Sequence, residues 1–158
     1  MNPQAFTLNE EKCLSSIITP VSIQQAYELC RIYHLVYQQA NVRALWDTGA
    51  ESSCISQGLA RHLGLKTIDM CQVCSVTDVK PSPVYMIDIL LPSNVTINNV
   101  RVSEFLDNGS FEIIIGMDII TLGDFAVSNK DRKTIVSFRI PPSDNPIDFV
   151  KEVNRNSH

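Results

Sequence analysis

The chain has 158 residues, of which 44% are hydrophobic and 19% are charged, and its formal net charge is -4. This length and composition predict one globular domain whose core is large enough to fold without disulfides or metals. The sequence contains no stripe of basic residues and no apolar stretch of membrane-spanning length, which argues against nucleic acid and a membrane as partners.

The five cysteines, at positions 13, 30, 54, 71 and 74, are odd in number and scattered. This favours free thiols in a reducing compartment over a disulfide framework. The first thirty residues also lack the basic start and apolar run of a signal peptide. We therefore expect a cytoplasmic protein.

The first predicted element is an edge strand at residues 14–19 and 21–23, interrupted by Pro20, where β-branched and polar residues mix. Residues 23–37 fit either a short helix or two strands, and we favour strand, loop, strand. This part of the chain, residues 1–35, is predicted to be an N-terminal extension with a first strand. It could serve as a propeptide, as a strand of a dimer interface or as an accessory element.

A predicted turn at residues 39–41 leads into an apolar strand at 42–46, which ends at Asp47-Thr48-Gly49. A short helix is predicted next, with Ser56 as its N-cap and Gly64 as its C-terminal stop. Two apolar runs, 70–76 and 84–91, then flank a polar segment that contains two prolines. They predict a long hairpin with its tip at residues 77–83.

The last third of the chain predicts strands at 95–102, 111–115, 125–128 and 134–140, and a short helix at 117–122. Asn98-Asn99 is a possible turn in the first of these strands, and residues 129–133 form a charged loop between the last two. The tail from 143 to 158 is predicted to be polar and mobile. Taken together, the elements indicate a mostly β fold with one or two short helices.

Asp47-Thr48-Gly49 places a carboxylate at the end of a strand, on a turn that glycine allows to be tight. Two carboxylates that share a proton can act as general acid and general base, whereas one cannot do both. The sequence holds no second Asp-Thr-Gly or Asp-Ser-Gly, so a second carboxylate would come from another copy of the chain. Taken alone, the triplet also fits a simple turn that Asp47 caps.

Two motifs together resemble those of the retropepsin-like aspartic proteases, the single-lobe family of retroviruses, retrotransposons and some bacteria and phages. The first is Leu45-Trp46-Asp47-Thr48-Gly49-Ala50, and the second is Ile113-Ile114-Ile115-Gly116. The resemblance covers residues 40–140. It implies a closed retropepsin-like β-barrel, with a catalytic domain at 36–142 between the extension at 1–35 and the tail at 143–158.

The resemblance implies that the protein is an aspartic endopeptidase. The enzyme would work as a homodimer on peptides or unfolded proteins and would need no cofactor. Asp47 and its dimer mate would form the catalytic dyad. Thr48 would hydrogen-bond across the two-fold axis, and the Gly49 N–H would approach the carboxylate of its own subunit. Ala50 carries no hydroxyl, and a hydroxyl there would stabilise the ionised carboxylate, so we expect a pH optimum nearer neutrality than that of gastric-type enzymes.

The resemblance also assigns supporting residues. In the second motif and just after it, these are Ile114, Ile115, Gly116 and Asp118. Asp118 would bind the start of the Asp-Thr-Gly loop, residues 47–53 (the catalytic loop), through Ser53. The segment Thr77, Asp78, Val79, Lys80 and Pro81 would form a flap that covers the substrate and excludes water.

Two features depart from the retroviral pattern. Met117 stands where an arginine usually pairs with the acidic residue that is Glu51 here, and Pro81 and Pro83 would stiffen the flap. The alternative function is therefore a catalytically weak or inactive dimer that binds peptides or acts as a scaffold.

The pair Cys71 and Cys74 has the spacing of half a zinc site. A structural zinc ion usually has four ligands, and residues i and i+3 of a strand point to opposite faces. We therefore expect no metal site. His62 is expected to be a surface residue. Cys54 could lie near the cleft because it is seven residues from Asp47, but we favour a small buried thiol.

Overall fold

The computed structural model describes residues 2–74 and 79–155. The strands are β1 (Gln4–Glu10), β2 (Ile18–Gln25), β3 (Gln39–Trp46), β4 (Cys54–Ser56), β5 (Asp69–Cys74), β6 (Val79–Leu90), β7 (Thr96–Phe105), β8 (Ile113–Ile115), β9 (Asp124–Lys130) and β10 (Lys133–Ile140). The helices are α1 (Tyr27–Tyr33), α2 (Gln57–His62), α3 (Met117–Ile120) and α4 (Phe149–Arg155), with a 3-10 turn at Pro92–Asn94. None of the described helices is long and apolar enough to cross a membrane.

Six strands form a closed barrel in the order β2-β3-β8-β4-β7-β6, and β6 closes it by pairing with β2. Two of the pairings, β3 with β8 and β4 with β7, are parallel, and the others are antiparallel. β5 extends the sheet beyond β6. Fully buried isoleucines from β2, β4, β6 and β8 fill the interior. The expected mostly β fold with a closed barrel is confirmed.

A second sheet, in the order β1-β10-β9, packs on the barrel through aromatic side chains. The ring of Trp46 stacks on that of Phe125 at a centroid distance of 4.9 Å and also meets Phe6 and Phe138. The indole N–H of Trp46 donates to the Thr19 hydroxyl at 3.0 Å, so this buried polar group is satisfied. Burial of these rings fixes the end of β3, the strand that carries Asp47.

Three N-terminal predictions were wrong. β2 lies at Ile18–Gln25, and it is no edge strand because it pairs with both β3 and β6. The strand favoured within 23–37 is instead α1, whose first N–H, from Tyr27, donates to the buried Asp88 carboxylate at 2.9 Å. The predicted turn at 39–41 belongs to β3, and the strand β1 was not predicted at all.

Other local predictions are confirmed. The Ser56 side chain caps α2 by accepting the Leu59 N–H. Gly64 follows the helix with φ of +56°, and the Leu65 N–H reaches back to the Ala60 carbonyl at 3.0 Å. A helix that ends at a glycine commonly forms this hydrogen bond, which gives a carbonyl group of its last turn a donor.

The C-terminal elements differ in extent from the predictions. The charged loop shrinks to the two residues Asp131 and Arg132, both with positive φ, the geometry of a tight hairpin turn. Asn99, predicted as a turn, lies inside β7 with φ of +58°. The polar tail includes the helix α4. The division at 1–35, 36–142 and 143–158 stays a prediction, although β1 and β2 pair with strands of the central part.

Candidate active site

Asp47 is the first residue after β3, and backbone hydrogen bonds hold it against the second motif. Its N–H donates to the Ile115 carbonyl of β8 at 2.9 Å. The following turn folds back, so that the Gly49 N–H donates to Asp47 Oδ1 at 2.8 Å and the Ala50 N–H to the Asp47 carbonyl at 3.2 Å. Asp47 is partly exposed, so its carboxylate is oriented by the turn while solvent can still reach it.

Gly116 allows the catalytic loop to seat directly on the second motif. The Met117 N–H donates to the Ala50 carbonyl at 2.8 Å. A Cβ on Gly116 would lie 2.7 Å from the Ser52 carbonyl carbon and 2.9 Å from the Ala50 carbonyl oxygen. Because these backbone atoms lie so close, position 116 has no room for any side chain and requires glycine.

Ser53 connects the loop to α3 through a buried hydrogen-bond network. Its N–H and its hydroxyl donate to the two oxygens of Asp118, at 3.0 and 2.7 Å. The same hydroxyl accepts the Gly116 N–H at 3.1 Å, and the Ser53 side chain has no exposed surface. The contact between Asp118 and Ser53 is the one that the resemblance implies.

We expect Ser53→Ala to lower the free energy of unfolding by about 1–3 kcal/mol, because it leaves the buried Gly116 N–H without its acceptor. Urea unfolding of the two proteins measures this change. Ser52→Ala, at the exposed neighbouring position, is the control and should unfold within about 0.5 kcal/mol of the parent. Equal stability of Ser53→Ala and the parent would show that the network does not hold the loop.

An open cleft of about 710 Å³ lies beside the catalytic loop. It is lined by Gly49, Ala50, Glu51, Ser52, Ser53, Cys54, Cys71, Gln72, Val84, Arg101, Val102 and Ser103. One wall is the catalytic loop with β4, and the facing walls are β7 and the hairpin of β5 and β6. A cleft bounded by strands can accept an extended peptide through main-chain hydrogen bonds.

Two of the described residues that line the cleft are charged, Glu51 and Arg101, and Arg101 forms an ion pair. The guanidinium of Arg101 lies 2.6 Å from the Asp69 carboxylate, and this hydrogen bond lowers the pKa of Asp69. On the opposite wall, burial raises the pKa of the Cys54 thiol, whose sulfur lies 3.4 Å from the Ser103 hydroxyl. Cys54 is half-buried in the cleft wall, so its side chain is more exposed than the predicted buried thiol would be.

The predicted flap lies only partly within the described residues. Thr77 and Asp78 fall outside them, whereas Val79, Lys80 and Pro81 belong to β6 and pair with β5. The predicted tip at 77–83 was too long, since residues 79–83 are strand. Pairing of β6 with β7 begins only at Val84, and prolines are accommodated where a strand has one partner.

Several cleft residues were not predicted as site residues: Cys71, Val84, Arg101 and Ser103. Ser103 contacts Cys54 because β7 runs parallel to β4, with the two residues opposite each other. Parallel pairing between distant segments has no local sequence signature. The alternation of apolar and polar residues along β7 was the only available indication of which side chains share a face.

Thr48 lies on the other side of the loop, exposed and beside a second depression of about 540 Å³. Met117, Ile120 and Phe125 contribute apolar surface to this depression. Met117 also packs against the hydrophobic core, so the position expected to carry an arginine carries an apolar contact. Among the described residues, no group of three or more His, Cys, Asp or Glu side chains is arranged to hold a metal ion.

Comparison with known proteins gives a family-model match and similar solved structures. A family model described as aspartyl protease matches residues 35–119, a range that includes both motifs. A retropepsin-like aspartic protease from Rickettsia conorii has a similar structure, with a TM-score of 0.54 and 8% identity over 89% of this chain and 97% of that chain. The retroviral protease-like domain of Ddi1 from Leishmania major gives a TM-score of 0.45 and 14% identity over 79% and 94%. No curated protein matches the chain in sequence.

Proposed function

This chain belongs to the aspartyl protease family, and we propose that it is an endopeptidase whose catalytic dyad forms between two copies of the chain. The observation that carries the proposal is the Asp47 loop, seated on Gly116 with its carboxylate oriented by the Gly49 N–H. The sequence contains one such triplet. A dyad therefore requires the Asp47 of a second copy.

In the proposed reaction a water molecule lies between the two Asp47 carboxylates, which share one proton. The ionised carboxylate removes a proton from the water as it attacks the peptide carbonyl, and the protonated one donates a hydrogen bond to the carbonyl oxygen. The proton is then passed to the leaving amine. The Gly49 N–H keeps the carboxylate in position throughout.

The surface around Thr48 is the proposed contact between the two copies. Thr48 is exposed, and the adjoining depression offers apolar side chains that would be buried on association. A symmetric dimer places the same patch of both chains around the axis. In this arrangement the two Thr48 hydroxyls hydrogen-bond across the axis and the two Asp47 side chains approach each other.

The proposed substrate is an extended peptide segment, largely apolar, from a short peptide or an unfolded protein. Among the described strands, β5 pairs with β6 alone, so its other edge offers main-chain hydrogen-bonding groups to a segment bound in the cleft. The hairpin of β5 and β6 would cover the bound segment and exclude water.

The proposal is tested by incubating the purified chain with an unfolded protein substrate, with and without a statine-type inhibitor, from about pH 2.5, below the usual aspartate range, to about pH 7. We expect inhibitor-sensitive cleavage with an optimum closer to neutral pH than that of gastric-type enzymes, because Ala50 offers no hydroxyl to the carboxylate. A rate profile that peaks below about pH 3.5, under the usual aspartate range, would contradict this expectation.

The alternative is a dimeric peptide-binding or scaffolding module that keeps the fold with little proteolysis. Met117 at the expected arginine position and the prolines of β6 favour it. It predicts that the chain binds the statine peptide but leaves the unfolded substrate intact at every pH.

A further inference from the structure

Glu51 brings to the substrate cleft a charged side chain that has no partner within residues 2–74 and 79–155. It lies four residues after Asp47 in the catalytic loop, lines the cleft and is exposed. Its carboxylate makes no hydrogen bond or ion pair with any residue in those ranges. Met117, at the position expected to carry a pairing arginine, packs against the hydrophobic core instead. The negative charge of Glu51 is therefore available to a bound ligand.

The backbone around Glu51 is held by α3, so that its side chain extends from a fixed point. The Asp118 N–H donates to the Glu51 carbonyl at 3.2 Å, and the Met117 N–H donates to the Ala50 carbonyl at 2.8 Å. Two residues further on, both the N–H and the hydroxyl of Ser53 donate to the Asp118 carboxylate. A charge that is already fixed in position loses less conformational freedom when a ligand binds than one on a mobile loop.

The other charges at the cleft do not cancel the charge of Glu51. Arg101 is the second charged residue among the described residues of the lining, and its guanidinium is paired with the Asp69 carboxylate at 2.6 Å. That pair is neutral as a whole. The ionised Asp47 of the proposed dyad adds a further negative charge beside the cleft. A cleft lined by one sign of charge attracts ligand groups of the opposite sign and disfavours groups of the same sign.

We propose that Glu51 selects peptide substrates that carry a lysine or arginine side chain near the scissile bond, an inference that rests on the proposed function. In the proposed dimer each copy supplies one Glu51, and the two-fold axis places the two carboxylates on opposite sides of the scissile bond. The cleft therefore favours a basic side chain on either side of that bond. An acidic side chain in the same places is disfavoured because like charges repel.

Chain geometry limits how far from the scissile bond the selected side chain lies. Glu51 follows Asp47 by four residues, and four residues of fully extended chain span at most about 14 Å. An extended peptide advances about 3.3 Å per residue. The selected basic side chain is therefore expected within about four residues of the scissile bond on each side.

The test uses a set of statine peptides, in which the statine marks the place of the scissile bond and apolar residues fill the flanking positions. One position at a time, up to about four on each side, carries lysine, glutamine or glutamate, and binding is measured by calorimetry at about pH 7. We expect the lysine peptide to bind about tenfold more tightly than the glutamate peptide at one or more positions on each side, because attraction and repulsion both contribute. Raising the salt concentration from about 50 mM to about 500 mM should reduce this ratio.

Substitutions at Glu51 assign the preference to its charge. Glu51→Gln should bring the ratio of lysine to glutamate binding to within about twofold, and Glu51→Lys should reverse it. Because the ratio compares two peptides on the same protein, a change in stability or in the fraction of dimer affects both peptides alike. Glu152→Gln removes an exposed carboxylate of α4, outside the cleft, and should keep the ratio of the parent.

Each outcome bears on a separate part of the inference. Equal binding of the lysine and glutamate peptides at every position would overturn the selection of charge, and a preference that survives in Glu51→Gln would overturn the role of Glu51. A Glu51-dependent preference on one side of the statine alone would contradict two Glu51 side chains around one peptide. If the expected binding pattern is found but the parent cleaves no substrate, the proposed catalysis fails while the charge selection stands.

Discussion

Asp47→Asn is expected to reduce cleavage of an unfolded protein by about 10³-fold or more, within the range that a general acid–base group contributes. The amide has nearly the same shape, and its oxygen can still accept the Gly49 N–H that now reaches Asp47 Oδ1 at 2.8 Å. It cannot remove a proton from water or share one with its mate. The loss should therefore appear in kcat, with the fold and the dimer unchanged.

Measurement of kcat, of the urea unfolding midpoint and of the mass in solution separates chemistry from folding. Asp144→Asn removes a carboxylate at an exposed position outside the cleft and serves as the control, with activity close to that of the parent. Similar kcat values for Asp47→Asn and the parent would show that Asp47 takes no part in the reaction.

Gly116→Ala is expected to lower the free energy of unfolding by about 1–3 kcal/mol or more, because the added methyl group overpacks a closed site. The atoms it meets are the Ser52 carbonyl carbon at 2.7 Å and the Ala50 oxygen at 2.9 Å. Both belong to the backbone of the catalytic loop, which has no side-chain end that could swing away. The loop must move, so activity should fall together with stability, as urea unfolding and kcat measurements will show.

Gly58→Ala is the matched control for this substitution. Its Cβ would also meet an atom at 2.7 Å, but that atom is Oδ1 of Asp107, at the end of an exposed side chain. Gly58 lies in the first turn of α2, where alanine is favoured over glycine by at most about 1 kcal/mol, and this gain offsets a weakened hydrogen bond from the Gly58 N–H to the Asp107 carboxylate. The stability change should therefore be small. If the two alanine variants lose equal stability, the close backbone approach at Gly116 does not account for the effect.

The sequence predicts best where a few adjacent residues determine the geometry. Ser56 and Gly64 define both ends of α2 because capping and helix termination are local. The turn at Asp47 depends in the same way on its own glycine. The closed barrel was predicted from the two motifs, because the periodicity of a strand does not specify which other strand it pairs with.

The wrong predictions share one cause: the structure of each segment depends on a contact with a residue that is distant in the sequence. α1 begins where the Tyr27 N–H meets Asp88, 61 residues away, and no nearby residue indicates that contact. β1 has one buried residue, Phe6, and forms a strand because β10 pairs with it. Cys54 and Ser103 become neighbours only through a parallel pairing, so the cleft could not be assembled from the sequence.

The central claim, that two copies of the chain each supply one Asp47, is tested most directly by mixing subunits. The parent and Asp47→Asn are combined in equal amounts, allowed to exchange, and assayed at constant total concentration. Random pairing in a symmetric dimer leaves about one quarter of the dimers with two aspartates, so a shared dyad predicts about a quarter of the activity of the parent alone. Activity of one half would show that each chain works independently and would contradict a dyad formed between two copies.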